Sequence, residues 1–534
     1  MPSKPARLQG KSSRSLKEFG VSTARSGAIF VTAEILSSAI SLIILVIATR
    51  LLNPVGFGLL SIAIAFSTVL GMAGNFGLGT TLRKMLPEVK SLELHGKYIS
   101  SVYAVSCSIA LILAAATFVL SGYIANQIYA NPALMVPLQL AGVLVFANVF
   151  FNSTSAALVG INRIRYSGLI NIAYAVFQLI AVGLLVYLGY GVVGAMAGFC
   201  IGLVAADILG IALLAKSISY RFSWPSMEHV KRLTSFSIPI LISNLGVVGV
   251  TNFAIVVLGI FASPSVVGNY GAAFKVGSTF ALLLTSSTFI LLPTFTSALS
   301  RRKLALRMQQ IYNSSVYYSL LLLAPVLAYV VSNSAQLISL IASGRYTSAP
   351  FYLAVISIGT MLGIIGSYAG TLLIGYGGAR RFMRYQITVV IIELALLLVL
   401  TPVLRADGVL IALFIAAPLT LDVIYTMALE RSFSISISFG PLIRIVAAAV
   451  MITLVMLSFT EFSGFHGYFA LLINFIITLL LYPPLVVLLG AVETRNIEFI
   501  RQVSTRFGRI GRLSNVILDY AQFFIGILHK PFIN

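Results

Sequence analysis

Charge is what this chain lacks most. Only 9% of its 534 residues are Asp, Glu, Lys or Arg, against about 25% in soluble domains, which excludes an ordinary water-soluble enzyme. Acidic residues are the scarcest part, 14 against 35 basic ones, for a net charge of +21. Cys107 and Cys200 are the only cysteines, and both sit in apolar runs. They form neither a disulfide framework nor, by themselves, a metal site, and read as small buried apolar residues. No Walker A sequence occurs, so ATP hydrolysis is not the drive. Alternating polar–apolar segments are missing too, which excludes a β-barrel.

What fills the chain is apolar. Hydrophobic residues make up 59% of it and the mean hydropathy is +1.02. The apolar runs recur at about 20 residues, the length of a spanning helix. The expected fold class is an all-α polytopic membrane protein with fourteen spans, at 27–48, 57–79, 98–123, 134–158, 167–189, 192–214, 236–261, 266–299, 311–331, 349–375, 385–404, 407–429, 441–461 and 467–490. The run at 266–299 exceeds what a bilayer requires and is expected to tilt or project. The first run is too long for a signal-peptide core and lacks a small-residue cleavage site, so it reads as a retained span.

Sorting the basic residues by segment gives an orientation. With the N-terminus inside, all but four of the 35 Lys and Arg fall on the cytoplasmic side; the exceptions are Arg50, Arg345, Arg405 and Lys275. Both termini are therefore expected in the cytoplasm of a multi-pass cell-membrane protein. The same sorting accounts for the high positive charge, and no nucleic-acid motif accompanies it.

The chain also repeats itself. Pro54-Val55-Gly56-Phe57-Gly58 at the second span matches Pro264-Ser265-Val266-Val267-Gly268 at the eighth. Gly160 to Tyr166 matches Gly375 to Arg381, and Gly191-Val192 matches Gly408-Val409. The offsets are 210, 215 and 217 residues. One order at nearly one offset points to a duplicated six-helix unit. An even span number makes the repeats parallel, in a pseudo-twofold arrangement with a cavity between two lobes. The expected organisation is a basic N-terminus (1–26), an N-lobe (27–214), a cytoplasmic linker (215–235) read as a short surface helix, a C-lobe (236–430), two further spans (441–490) and a tail (491–534). In the tail, Ile497, Ile500, Val503, Phe507, Ile510, Leu513, Ile517, Tyr520, Phe524 and Ile527 recur every three or four residues. Arg501, Arg506, Arg509 and Arg512 surround this stripe, as in a basic amphipathic helix on an anionic leaflet.

The run Thr49-Arg50-Leu51-Leu52-Asn53-Pro54 with Gly56-Phe57-Gly58-Leu59, and Asn75-Phe76-Gly77-Leu78-Gly79-Thr80-Thr81-Leu82-Arg83-Lys84, resemble the first-hairpin signature of prokaryotic polysaccharide export proteins. Ser237-Ile238-Pro239 and Val267 to Lys275 resemble the matching second-half elements. The resemblance covers most of spans one to twelve. It implies an O-antigen-type flippase for undecaprenyl- or dolichyl-linked oligosaccharides. That family belongs to the superfamily of multidrug, oligosaccharidyl-lipid and polysaccharide exporters, which includes the lipid II flippase and the multidrug and toxin extrusion antiporters. Fourteen spans resemble the lipid II flippase branch, in which the last two helices help form a lipid-facing groove. The drug-antiporter branch usually stops at twelve.

Ionisable residues within spans are costly and therefore functional candidates. Lys275 falls where resembling flippases often carry a cavity-facing Arg or Lys, suited to the phosphate of a lipid-linked glycan; the alternative is an ion pair with Glu34 that locks the lobes. Glu34 either lines the cavity or snorkels to the interface. Arg83, next to Asn75 and a glycine-rich segment, is a headgroup candidate at the cytoplasmic mouth, against ordinary positive-inside anchoring. Arg50 either receives the delivered headgroup or simply ends span one. Asp207 and Asp422 nearly coincide when the halves are overlaid and, with Glu393, are candidates for coupling to H⁺ or Na⁺, against plain helix-end charges. No other cofactor and no metal are expected. Membrane lipid and a lipid-linked glycan are the expected partners, with glycosyltransferases or a polymerase as candidate protein partners and a monomer as the expected state. The competing readings are an ion-coupled drug antiporter of the same fold and a membrane enzyme. The outer loops carry no paired carboxylates for general acid–base work, which disfavours the enzyme.

Overall fold

The computed structural model describes residues 32–89, 91–217, 225, 227–280, 304–375, 379–464, 467–504, 515 and 518–526. The expected basic N-terminus, most of the linker, the second part of the long span at 266–299, and Arg506, Arg509 and Arg512 lie outside them. The regular structure among the described residues is all helical, with no strand. In chain order, α1 is Thr32–Leu51, α2 Pro54–Asn75, α3 Leu78–Met85, α4 Leu92–Tyr123, α5 Met135–Gly160, α6 Ile164–Leu185, α7 Gly191–Ser217, α8 Met227–Asn244 and α9 Val250–Phe261. Residues 264–280 form α10. They are followed by α11 Leu304–Ser332, α12 Ser334–Ala342, α13 Ala349–Leu362, α14 Ile364–Gly375, α15 Ala379–Leu404, α16 Ala406–Leu410, α17 Ala417–Phe433, α18 Phe439–Ser463, α19 Tyr468–Leu488 and α20 Thr494–Ser504. Residues 518–526 form α21.

Among the described residues, ten helices are long and apolar enough to cross a membrane, or eleven with the pair α13–α14, which bends by 41°. The number falls below the expected fourteen for identifiable reasons. The helices α6 and α7 run together as one 54-residue stretch, Ile164–Ser217. That stretch reverses at Gly189 and Gly191, both with positive φ. Gly198 of α7 then packs on the backbone of Val182 and Gly202 on that of Gln178, an antiparallel pairing. The apolar helix α9 is short, but it continues α8 through a π-turn at Leu245–Gly249. Only the first part of the eighth expected span is described.

The chain divides into two compact units, Met1–Gly268 and Asn269–Asn534. In the first, α5 packs against α2, α4 and α7, and α2 against α9. The start of α2 is set locally: Asn53 Oδ1 accepts the Gly56 N–H at 2.7 Å and Pro54 occupies the first turn, an N-cap with proline where no donor is needed. Its end is equally local. Phe76 and Gly77 both take left-handed conformations, so the second span stops at Asn75 and α3 resumes as a separate helix. Near the other membrane face, Gly58 and Gly268 lie against each other's segments. A Cβ at Gly58 would overlap the Pro264 carbonyl oxygen, and one at Gly268 would overlap that of Pro54. The matched Pro–Gly motifs thus meet in a reciprocal crossing. The expected linker helix is no separate element, because α8 runs unbroken from Met227 into the seventh apolar run. Its N-terminal end is held by the Arg232 guanidinium donating to Tyr98 Oη (3.4 Å) and by the T-shaped pairing of the His229 and Tyr98 rings.

In the second unit, α11, α14, α17, α18 and α19 enclose one core in which Tyr312, Tyr368 and Tyr425 are fully buried. Lipid offers no hydrophobic drive between helices, so buried polar contacts help hold them. Asn474 Nδ2 donates to Asn333 Oδ1 (2.7 Å), Tyr425 Oη donates to Gln386 Oε1 (2.8 Å), and Ser319 bonds Tyr368. Asn269 Oδ1 accepts the N–H groups of Ser348 and Ala349, each at 3.0 Å, capping α13. The tail enters this core as well: Ile497, Leu518, Ala521 and Ile525 are buried in it. Tyr520 Oη donates to the Leu480 carbonyl (3.2 Å), and Arg501 joins α20 to α21 through Asp519 and Gln522.

The two helical hairpins α6–α7 and α15–α16 turn alike. Gly191 has φ 55° and ψ −133°, and Arg405 has φ 53° and ψ −123°. Three residues on, Gly194 and Gly408 press against the preceding helix: a Cβ added at either would come within 3.0 Å of Leu185 O or 2.5 Å of Leu400 O. The structural partner of Gly408 is therefore Gly194 rather than Gly191, an offset of 214 residues. A side chain in this region of φ/ψ costs about 1–3 kcal/mol. Gly191→Ala is expected to lower thermal stability by about that amount and Arg405→Gly to raise it. Equal melting temperatures for the two variants and the unaltered protein would show that the turns carry no strain.

Candidate functional site

In the first unit, Glu34 sits near the start of α1 with its side chain exposed, and Asn171 Nδ2 of α6 donates to its Oε1 at 3.1 Å. Arg83 lies on α3, beyond the end of α2, with part of its side chain open to solvent. Burial draws its guanidinium pKa below the ordinary value, while the nearby Glu34 charge acts the opposite way. Glu34, Asn171 and Arg83 thus form one polar cluster. Lys84, the next residue, is used differently: its ammonium stands 4.2 Å from the centroid of the Phe236 ring, a cation–π contact that anchors α3 to α8. Asn75 Oδ1 accepts the Gly79 N–H at 3.4 Å, so this amide bridges the break between α2 and α3. Arg50 is exposed one residue before the end of α1.

Asp207 of α7 is buried, and its Oδ1 has no hydrogen-bond partner among the described residues. It lies within electrostatic reach of Cys107 on α4. Two hydroxyl pairs tie α4 to α5, Tyr103–Thr154 at 2.6 Å and Ser106–Ser153 at 3.2 Å. Gly210 places α7 against Thr154. A buried carboxylate without a partner is costly, and a proton or a small cation would satisfy it. Asp207→Asn is expected to fold at undiminished stability, because the charge it removes is unpaired, while making transport insensitive to an imposed proton or sodium gradient. Unchanged gradient dependence in that variant would put Asp207 outside coupling.

Asp422, near-equivalent in sequence, differs in the second unit. Its Oδ1 accepts the Gly366 N–H at 2.6 Å. That donor lies in the first turn of α14, just past the bend at Gly363. Asp422 also lines a groove of about 650 Å³ whose other walls are almost wholly apolar, built from α11, α13, α14, α17 and α18. Glu393 on α15 is half-buried and lies within electrostatic reach of Tyr425.

Lys275 of α10 is exposed, whereas every other residue from Val267 to Gly277 is buried or half-buried. Its ammonium has no ion-pair or hydrogen-bond partner among the described residues. A charge scan misses the amides of the first unit. Asn148 and Asn152, one turn apart on α5, donate Nδ2 to their own helix carbonyls at Leu144 (3.0 Å) and Asn148 (2.8 Å). Asn252 on α9 does the same to Val248 (2.9 Å). The signal was an amide recurring in apolar runs. Among the described residues no group of three or more His, Cys, Asp or Glu forms a metal site.

A family model described as polysaccharide biosynthesis protein matches residues 23–299, just over half of the chain. A probable flippase, AglR, of Haloferax volcanii is 27% identical over 166 residues, 31% of this chain and 34% of that protein. The matched segment thus spans about a third of that relative. Among solved structures, the lipid II flippase MurJ in an inward closed conformation is similar with a TM-score of 0.71 and 15% identity, covering 86% of this chain and 98% of that one. An inward-facing multidrug resistance transporter of the MATE family, in the MOP superfamily, is similar with a TM-score of 0.63 and 16% identity over 76% and 98%. At these identities the likeness is one of fold.

Proposed function

The chain belongs to the polysaccharide biosynthesis protein family, and from that premise we propose that it is a flippase for lipid-linked oligosaccharide. It moves a polyprenyl- or dolichyl-phosphate-linked glycan from the inner to the outer leaflet by alternating access, for assembly of cell-surface polysaccharide or glycan. The observation that carries this reading is the apolar groove of about 650 Å³ in the second unit. A long hydrocarbon chain fits such a wall, and a small hydrophilic cargo would leave it unused. Lys275 supplies the fixed cation for the phosphate, with Arg83, Glu34, Asn75 and Arg50 as further headgroup contacts. Asp207, Asp422 and Glu393 are the coupling candidates for H⁺ or Na⁺.

In this reading the helices make fourteen crossings. They are the ten apolar helices with Ile164–Ser217 counted twice, the bent pair, α8–α9 as one, and the span that α10 begins. The asymmetry of basic residues supports both termini in the cytoplasm. The reciprocal crossing of Gly58 and Gly268 and the matched turns at Gly191 and Arg405 support a pseudo-twofold repeat. The protein acts as a monomer beside glycosyltransferases or a polymerase. A strain lacking it is expected to accumulate lipid-linked glycan on the inner leaflet and to lose surface glycan. Normal surface glycan with raised sensitivity to cationic drugs would instead favour an ion-coupled antiporter of the same fold.

A further inference from the structure

A second cavity, of about 250 Å³, lies wholly in the first unit, among the start of α2, the α4–α5 connection and the α9–α10 turn. Its chemistry is opposite to that of the groove. Tyr129, Asn131 and Ser263 bring polar side chains to its wall, and no charged residue lines it. Tyr129 forms one wall and is held rigidly. Its hydroxyl donates to the Val256 carbonyl at 3.1 Å, and its ring lies against Gly259, where a Cβ would come within 2.9 Å of Tyr129 Cε1. Asn131 Oδ1 accepts the Ala133 N–H at 3.1 Å, while its Nδ2 has no hydrogen-bond partner among the described residues. The exposed Ser263 hydroxyl also has none. Ser263 is fixed through its carbonyl, which accepts the N–H groups of Val266 (3.0 Å) and Val267 (3.2 Å). The C-terminus of α9 faces the same space, and a helix's last carbonyls have no intrahelical partner.

The cavity therefore offers acceptors from carbonyls, a donor from Asn131, a hydroxyl from Ser263 and the face of a fixed aromatic ring. It offers no cation for a phosphate and no carboxylate for a metal. That set suits a neutral, compact molecule carrying many hydroxyls and one less polar face, which is the chemistry of a single pyranose ring. Pro264 lines the cavity and also takes part in the crossing with Gly58, so the cavity adjoins that crossing at the membrane face where α1 ends and α2 begins.

We propose that this cavity is a subsite for a neutral hexose unit of the glycan on the face to which it is delivered, an inference that rests on the flippase reading and its orientation. Phosphate and sugar are then recognised at separate places, the phosphate by Lys275 and one sugar by Asn131, Ser263 and the Tyr129 ring. The test uses the full-length protein in lipid nanodiscs, titrated separately with mannose, glucose, glucuronate and inorganic phosphate by ligand-observed NMR. Saturable binding of a neutral hexose is expected, at least tenfold weaker in Ser263→Trp and several-fold weaker in Ser263→Ala, with no binding of phosphate at this site. Absence of saturable hexose binding, or unchanged binding in both variants, overturns the proposal. Export is read in parallel. If Ser263 variants bind hexose normally while the unaltered protein still moves lipid-linked oligosaccharide, the subsite fails and the flippase stands. If no lipid-linked oligosaccharide moves at all, the flippase reading itself fails.

Discussion

Lys275→Ala is expected to abolish surface glycan assembly while the protein still inserts and folds. The ammonium is exposed and has no ion-pair or hydrogen-bond partner among the described residues. Removing it therefore leaves no buried carboxylate stranded there. Its flanks explain why it is held in place: Ala272, Ala273, Val276 and Gly277 are buried, so the turn that presents the charge is packed on its other sides. A charge-assisted hydrogen bond contributes about 1.5–3 kcal/mol, which corresponds to about a ten- to hundredfold loss of headgroup affinity. Lys275→Arg keeps the charge and should keep most of the transport. The check is surface glycan measured at native expression, with membrane insertion confirmed for each variant. Normal glycan in Lys275→Ala would remove the phosphate-clamp role.

The second large effect is steric. Gly58→Val and Gly268→Val each place side-chain atoms where the opposing proline carbonyl lies. Backbone cannot yield there as a flexible side chain would, so the crossing must open. Overpacking of this kind costs about 1–3 kcal/mol, occasionally more. Cysteines introduced at Val55 and Ser265 report the crossing by cross-linking yield. The yield should fall in both glycine variants, together with the melting temperature and with transport. Retained cross-linking and normal transport would show that the contact is not needed. A double variant should be less than additive, because the first substitution has already opened the crossing.

How much of this was legible in the sequence depends on whether the cause was local. Asn53 and Pro54 cap and start α2 within four residues, and the motif announced it. Apolar runs announced most spans for the same reason, since a helix satisfies its own backbone in lipid. The break at Phe76–Gly77 was hidden, because apolarity continues past it while the backbone turns left-handed. Asn269 belongs to a recognisable motif, but its bonds go to Ser348 and Ala349, about 80 residues on, and only tertiary structure shows that it is a cap. Asp207 and Asp422 looked equivalent by position. Their difference lies in a partner, the Gly366 N–H, that exists only because α13 and α14 are bent apart. The tail's periodic stripe was visible, yet what Ile497 packs against was not, and the face that α21 buries is Leu518, Ala521 and Ile525, one residue on from the expected Ile517, Tyr520 and Phe524; periodicity shows that a face is apolar and leaves its partner open. Amides such as Asn148, Asn152 and Asn171 escaped a search for charge because they carry none. The turn at Arg405 was concealed by side-chain identity, since an arginine stands where the first half has a glycine.

The central claim is that the groove, the Lys275 cation and the family's fold serve a lipid-linked glycan. The most direct measurement is transbilayer movement in proteoliposomes containing the purified full-length protein, with a fluorescent polyprenyl-diphosphate oligosaccharide in one set and a soluble cationic dye in the other. The account predicts that lipid-linked substrate from the inner leaflet becomes accessible to an external lectin, faster than in protein-free vesicles and at the protein-free rate with Lys275→Ala, while the dye is not moved. Movement of the dye with no acceleration of the lipid-linked oligosaccharide would contradict it.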